Sequence, residues 1–389
     1  MVRNLRIYIL SMLALAVSLT FNHCSRMNIE WSELPPLPPP APGSIQPGVA
    51  GPFAGIHGKT LIVAGGANFQ DTMPWHGGKK YYHNDIYTLH LPVNGGPWKS
   101  FRGEISLPAP VAYGASASTE AGLVCMGGET EQGLTDEAYI ISAAGERLII
   151  TPLPPLPVPL SNAASTSVGP TVFVAGGLTS DGSSQALYCL NTEEIAAGWK
   201  KLADMPLPLI NSVMGASDGK EQKLWLMGGR TRGEDDDISV IRSEIISYSV
   251  DDDRWQWEGE LNDGKDTLRL AAGTGTALNG RYMVLFGGND GEVFNRVEKM
   301  LSEMGRETDT AVLAKKRREY ISLQESHPGF SRQVILYDIE TGESLNAGEI
   351  PGPAQVTTTA VSTPFGIIIP SGEIRPGVRT DIIRMATFR

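Results

Sequence analysis

Short apolar runs that end in a glycine pair recur along the chain. Five runs end in Gly-Gly and a sixth ends in Ser-Gly; the pairs are Gly65-Gly66, Gly127-Gly128, Gly176-Gly177, Gly228-Gly229, Gly287-Gly288 and Ser371-Gly372. Such short runs bounded by turn residues are typical of buried strands. The second glycines are 62, 49, 52, 59 and 84 residues apart. A period of about 50 residues indicates a repeat architecture built from small sheets.

Two further features recur in phase with the glycines. A polar loop and a second apolar strand follow each pair, as in Asp85–Leu89 and Glu244–Tyr248, and proline-rich connectors such as Pro152–Pro157 lead to the next unit. The units resemble kelch repeats. A four-stranded unit cannot bury both faces alone, whereas stacking units around an axis buries them. We therefore predict an all-β fold, a six-bladed kelch-type β-propeller, over residues 28–389.

Two places depart from the repeat. The last unit has three strands, so we expect the tryptophan-containing strand at residues 28–34 to supply its fourth and to close the ring. The fifth unit carries about forty extra residues after Gly288, in which Val293, Val297 and Met300 recur at helical spacing. This spacing predicts a helical insertion in the fifth blade at residues 290–330. It either packs on the flank of the propeller or forms a lid over a site.

The first residues read as a targeting segment. Residues 1–23 combine Arg3 and Arg6 with an apolar run too short for a membrane span, which predicts a secretory signal peptide and an exported, periplasmic protein with no stable membrane span. A lipid on Cys24 is an alternative. Loss of this segment moves the formal charge from −11 to −13. Such an acidic chain is a poor nucleic-acid ligand, so we expect no nucleic-acid partner. The sequence gives no oligomeric state.

Polar residues after the glycine pairs form the first candidate site. The loops after these pairs emerge on one face of a propeller, so their side chains converge near its axis. We take Asn68, Glu129, Arg230 and Asn289 as substrate-binding candidates, with Thr179 as a further member of the set. The long first loop, residues 68–84, adds aromatic, amide and charged groups that suit a sugar.

A stiff polar stretch follows the last apolar run. Ser371–Asp381 holds Glu373, Arg375 and Arg379, with Pro376 and two glycines that restrict and shape its backbone. A fixed carboxylate and guanidinium indicate an acid/base and anion site. A surface turn with a salt bridge fits the same residues.

This stretch resembles the signature of the N-acetylneuraminate epimerase family, the sialic acid mutarotases, which pairs a catalytic glutamate with an arginine six residues on. Glu129-Thr130, the first loop and the large insertion are similar to other family segments. The order of the units is not the usual one, so the chain resembles a cyclically permuted member. A paralogue acting on another acid sugar would carry the same motifs.

The resemblance implies an isomerase that interconverts the α and β anomers of N-acetylneuraminate or a related small acidic sugar. Glu373 and Arg379 would be its catalytic residues: Glu373 the base, and Arg379 the group that holds the carboxylate or stabilises oxyanion charge. Arg375 would bind substrate. No metal or cofactor is implied. The alternative from another class is a non-catalytic kelch propeller that binds a glycan or a protein.

Overall fold

Six four-stranded antiparallel sheets are arranged as a β-propeller, which confirms the predicted fold. The computed structural model describes residues 27–39, 43–92, 99–100, 105–144, 147–217, 221–233 and 238–389, so residues 1–23 and Cys24 lie outside it. Blades one to three contain Phe53–His57, Thr60–Ala64, Ile86–His90 and Lys99–Ser100; Ala115–Thr119, Gly122–Thr130, Gly133–Ala144 and Arg147–Pro152; and Ala164–Val168, Thr171–Ala175, Leu187–Asn191 and Lys200–Lys201. Blades four to six contain Val213–Ala216, Lys223–Met227, Glu244–Ser249 and Arg254–Glu260; Thr274–Leu278, Tyr282–Gly288, Ser331–Asp338 and Glu343–Glu349; and Val361–Thr363, Gly366–Pro370, Ile383–Phe388 and Ile29–Leu34.

The sixth blade is assembled from both ends of the described chain, as predicted. Its outer strand, Ile29–Leu34, pairs antiparallel with Ile383–Phe388, and Trp31 lies opposite Ala386. The indole of Trp31 packs edge-on against Phe286 of blade five, with ring centroids 5.8 Å apart. The closing strand therefore contributes hydrogen bonds to one blade and apolar contact to its neighbour.

The core lies between blades, because side chains alternate along each second strand. In blade one, Leu61 and Val63 pack toward blade six, while Ile62 and Ala64 pack toward blade two. A strand buried on both faces needs apolar residues at every position. This is why the recurring runs are continuously apolar.

The glycine pairs let neighbouring blades meet. The Gly66 N–H donates to the Val111 carbonyl at 2.8 Å, and a Cβ atom on Gly65 would lie 2.6 Å from that same oxygen. The N–H groups of Gly128, Gly177 and Gly229 donate to the connectors of the following blades in the same way, and Gly372 donates to Val49 of blade one. Only a residue without a side chain permits this approach.

A closed cycle of six backbone hydrogen bonds, which we call the hub ring, surrounds the axis. In each blade, a single residue a few positions before the first strand takes part. Its N–H donates to the carbonyl of the corresponding residue in the preceding blade, at 2.7–3.0 Å. All six have left-handed backbone, with φ between 53° and 62°. The hub residues are Gly51, Tyr113, Asn162, Asn211, Ala272 and Thr357.

Short hairpins connect the second and third strands near the axis. Separate two-stranded hairpins pair Ala67–Asn68 with Tyr81–Tyr82, Leu178–Thr179 with Gly182–Ser183, Arg230–Thr231 with Val240–Ile241, and Glu373–Arg375 with Val378–Arg379. In blade two the hairpin is continuous with the long strands themselves. Single helical turns occur at Pro74–His76 and Ile195–Ala197.

Blade five carries two helices at the corresponding place, which confirms the predicted insertion. They are α1, Glu292–Arg306, and α2, Thr310–Glu325, which begins at the Asp309 cap. Among the described residues, no helix combines the length and apolar character needed to cross a membrane.

Replacing Trp31 tests the closure. Trp31→Ala removes a partly buried indole from the contact between blades five and six, and should lower the free energy of unfolding by about 3 kcal/mol, the lower end for Trp→Ala truncations. Urea denaturation would measure this as a lower midpoint. Ser32→Ala, an exposed neighbour on the same strand, is the control. Equal midpoints for the two variants would contradict a stabilising role for this strand.

Candidate functional site

A cavity of about 340 Å³ lies at the axis, with the hub ring as its floor. Five hub residues, all but Gly51, line it. Arg230, Asn289 and Glu373 stand in its walls, and the insertion contributes a roof of Val293, Phe294, Val297, Gln324 and His327. The site therefore combines amide and charged groups below with three apolar and two polar side chains above.

The hairpin of blade six brings Glu373 and Arg379 together. Glu373 and Arg379 are cross-strand partners, and the turn between them contains Pro376 and Gly377. Side chains at such paired positions lie within about 4.5–5.5 Å at Cβ. Two residues six positions apart in the sequence thus come into direct contact, because the hairpin pairs them across its two strands.

Glu373 is held by two contacts. Its Oε1 accepts a hydrogen bond from the Gly377 N–H at 2.8 Å and lies 3.2 Å from Arg379 Nη1. Its side chain is 19% exposed, so it stays accessible from the cavity. Gly377 has φ of 75°, and a Cβ atom there would lie 2.9 Å from Met73 Sδ, so the turn packs against the first loop.

Arg379 is almost fully buried, with 4% of its side chain exposed. Its guanidinium lies 4.8 Å from the Phe69 ring centroid, and Nε donates to the Ala67 carbonyl at 3.3 Å. Nη1 has no partner with hydrogen-bond geometry among the described residues, despite its closeness to Glu373. A fixed guanidinium with a free N–H suits an oxygen that gains negative charge.

Tyr113 connects this pair to a second charged group. Arg379 Nη2 donates to the Tyr113 hydroxyl at 3.5 Å, and Lys80 Nζ lies 4.9 Å from the centre of the same ring. Burial raises the pKa of Tyr113, and the Lys80 and Arg379 cations act in the opposite direction.

Arg230 is the guanidinium in the wall of blade four. It lies 5.2 Å from the Phe294 ring centroid of α1, and its Nη1 donates to Ser239 Oγ at 2.9 Å. The Ser239 N–H and hydroxyl both donate to the Glu298 carboxylate of α1 at 2.8 Å. Burial lowers the pKa of Arg230, and Glu298 partly offsets this effect.

The insertion spans the cavity mouth rather than the propeller flank. Helix α1 is attached to blade four through Glu298, and Glu325 at the end of α2 contacts His76 of blade one at 2.8 Å. Blades one and four are opposite each other in a ring of six, so the helical pair crosses the axis. Of the two placements considered from sequence, the lid is the one observed.

His327 follows α2 and completes the roof. Burial is the main cause that lowers its pKa, which favours the neutral imidazole. Its Nδ1 accepts a hydrogen bond from the Gly329 N–H at 3.0 Å, which leaves the ring proton on Nε2. The cavity therefore contains a neutral histidine donor.

The structure brings three of the predicted residues, Glu373, Arg230 and Asn289, into the cavity lining, with Arg379 directly behind Glu373. Asn68 does not reach it. Ala67, and not Asn68, is the counterpart of Glu373, because Ala67 makes the equivalent backbone bridge, to Ala50. A one-residue shift along a strand reverses the side chain, so the Asn68 amide is buried and donates to the Gly48 carbonyl at 2.9 Å. Thr179 is displaced for the same reason, since Leu178 makes the bridge.

Two other candidates also lie outside the lining. Glu129 is in the correct register, but its carboxylate binds Lys80 at 3.1 Å and the Tyr82 hydroxyl. Arg375 is exposed and is not among the residues that line the cavity. The aromatic residues of the first loop do not face the cavity, and Trp75 is buried against Gly377.

Sequence reasoning missed the floor and part of the roof. The hub residues Tyr113, Asn162 and Asn211 and the roof residues Gln324 and His327 all line the cavity. A signal for the floor was present, because hub residues follow the connectors with the same period as the glycine pairs.

Comparison with known proteins identifies relatives along the chain. A family model described as N-acetylneuraminate epimerase matches residues 17–150 and 153–389. N-acetylneuraminate epimerase of Vibrio cholerae is 36% identical over 132 residues, which cover 31% of this chain and 32% of that protein. That of Salmonella typhi is 23% identical over 166 residues, 43% of this chain and 41% of that protein. The aligned parts thus span a third to two fifths of these relatives, and the cyclic permutation stays a prediction.

The attachment of the lid can be tested through Glu298. Glu298→Ala removes two charge-assisted hydrogen bonds to Ser239, each contributing roughly 1.5–3 kcal/mol. We expect amide hydrogen exchange in α1 to become at least about 10-fold faster, since 1.4 kcal/mol is a factor of ten. Glu303→Ala is the control, because Glu303 binds Lys316 within the helical pair at 2.9 Å. Unchanged exchange in Glu298→Ala would show that this contact does not hold the lid.

Proposed function

The chain belongs to the N-acetylneuraminate epimerase family, and we propose that it interconverts the α and β anomers of N-acetylneuraminate or a closely related acidic sugar. The observation that carries the proposal is the Glu373–Arg379 pair, which contacts at 3.2 Å at the wall of the axial cavity. The amides of the floor and the apolar side chains of the roof suit a ligand with many hydroxyls and apolar ring faces.

The reaction needs a base and an acid. The sugar is a 2-keto acid closed as a hemiketal, so opening removes the proton of the anomeric hydroxyl, breaks the ring C–O bond and protonates the ring oxygen. Reclosure on the other carbonyl face gives the other anomer. Glu373 is the base, because it is the carboxylate among the residues that line the cavity.

Arg379 has a role that follows from the substrate. In this sugar the carboxylate and the anomeric hydroxyl are on the same carbon, so the group that meets the carboxylate must lie next to the base. Arg379 satisfies this condition, because its Nη1 lies 3.2 Å from Glu373 Oε1. Arg230, in the wall of blade four, would contact groups farther along the sugar.

The non-catalytic kelch module has no specific observation in its favour. A binding platform has no need of a carboxylate held against a buried guanidinium by a two-stranded hairpin. Retaining such a pair at a cavity wall is understandable when the carboxylate must exchange protons with a ligand.

A time course of proton NMR tests the proposal. The α-anomer released by a sialidase should equilibrate faster with the protein than in buffer. In Glu373→Gln the rate should fall roughly 10²–10⁴-fold, the usual contribution of a positioned base. Glutamine keeps the acceptor for the Gly377 N–H, so the hairpin should be retained.

Glu131→Gln is the matched control, since Glu131 is an exposed carboxylate that binds Lys79. This variant should equilibrate the anomers as fast as the parent. If the parent protein gives no acceleration over buffer, the proposed activity is wrong. If Glu373→Gln is as fast as the parent, the assignment of the base is wrong.

We also propose that the protein is exported to the periplasm, on the basic start and apolar run of residues 1–23. Cell fractionation of the full chain should place it in the periplasmic fraction, with its mature start after residue 23. Replacing apolar Leu13 and Leu15 with arginine should retain it in the cytoplasm, because the apolar segment is what export recognises. A full-length cytoplasmic product from the parent chain would contradict export.

A further inference from the structure

Tyr113 occupies a hub position that disfavours it. All six hub residues are left-handed, a conformation that glycine adopts freely and asparagine tolerates, but that is a strained outlier for a bulky residue. The others are Gly51, Asn162, Asn211, Ala272 and Thr357. A Cβ atom on Gly51 would lie 2.4 Å from Tyr113 Cδ1, so glycine makes room for this ring. Strain of this kind is retained most often at functional sites.

The hydroxyl of Tyr113 is fixed beside the catalytic pair. One guanidinium bridges the two groups, with Arg379 Nη1 3.2 Å from Glu373 Oε1 and Nη2 3.5 Å from the Tyr113 hydroxyl. Tyr113 and Glu373 both line the cavity. The backbone of Tyr113 is held on both sides, since its N–H donates to the Gly51 carbonyl and its carbonyl accepts from the Asn162 N–H, each at 2.7 Å. The backbone of Tyr113 is therefore fixed, and the Arg379 hydrogen bond positions its hydroxyl.

We propose that Tyr113 is the second proton-transfer group of the site, working opposite Glu373; this rests on the proposed function. In ring opening, Glu373 takes the anomeric hydroxyl proton, the electron pair of the ring C–O bond goes to the ring oxygen, and the Tyr113 hydroxyl gives that oxygen a proton. Rotation about the neighbouring C–C bond presents the other carbonyl face. In closure the sugar hydroxyl returns its proton to Tyr113 as it attacks, and the carbonyl oxygen takes the proton from Glu373.

The surrounding charges fit this role. A tyrosinate formed at Tyr113 would be stabilised by Arg379 and by Lys80, whose Nζ is 4.9 Å from the ring centre. Burial is the largest cause that raises the pKa of Tyr113, and the negative charge of Glu373 raises it further. When Glu373 takes the substrate proton it loses that charge, so Tyr113 becomes a stronger acid at the moment when its proton is needed.

Tyr113→Phe tests the inference, because it removes the hydroxyl and keeps the ring at the hub. We expect the turnover number for anomer equilibration to fall at least about 100-fold, with the KM nearly unchanged and the same thermal midpoint of unfolding. Tyr81→Phe is the matched control, since the Tyr81 hydroxyl bonds Asp71 at 2.7 Å outside the cavity. It should equilibrate the anomers at the parent rate.

The outcomes separate the two proposals. If the parent protein is active and Tyr113→Phe has the parent turnover number, the role of Tyr113 is overturned while the proposed activity stands. If Tyr113→Phe raises the KM alone, the hydroxyl binds substrate without transferring a proton, and the inference is also overturned. Loss of activity in the parent protein would instead contradict the proposed function itself.

Discussion

The hub ring is the constraint on which the rest of the structure depends. Six backbone donors and acceptors at the crowded axis are satisfied by one another in a closed cycle, so no blade can shift without leaving a polar group unpaired. The residue before each hub residue forms a backbone bridge to the residue after the glycine pair, as in Val356 with Glu373 and Ile210 with Arg230. The cavity walls are thus one bridge away from the floor, so the positions of their side chains are fixed by the hub ring.

The floor and the roof of the cavity are built differently. The floor is held together by the backbone hydrogen bonds of the hub ring. In contrast, no residue of α1 or α2 is fully buried. The roof is attached by side-chain contacts through Glu298 and Glu325 at its two ends. Segments held by few buried contacts open at low cost. This division lets the roof open while Glu373 and the other wall residues stay fixed.

The repeat carried most of the fold. Six blades and their closure were predicted from the period, the glycine pairs and the missing fourth strand of the last unit. Each of these features follows from the way that neighbouring blades pack against one another. The Glu373–Arg379 pair could also be predicted from the sequence, because a hairpin brings residues at this spacing into contact. The prediction for Asn68 was wrong by one residue, because Ala67 is the residue equivalent to Glu373. The loops after the glycine pairs differ in length, so the sequence does not show this register. The role of Tyr113 depends on its backbone angle, and that angle is imposed by neighbouring blades rather than by nearby sequence.

The division of blade six between distant parts of the chain affects how the protein is made. Ile29–Leu34 is synthesised well before its partner Ile383–Phe388. During synthesis the early strand has no mate, and the unpaired flanks of blades one and five remain open to other chains. Pairings this far apart in sequence form slowly and expose sticky intermediates. Closure of the ring must therefore wait until both strands have been synthesised, and chaperones that shield the nascent chain would protect the open blades until then.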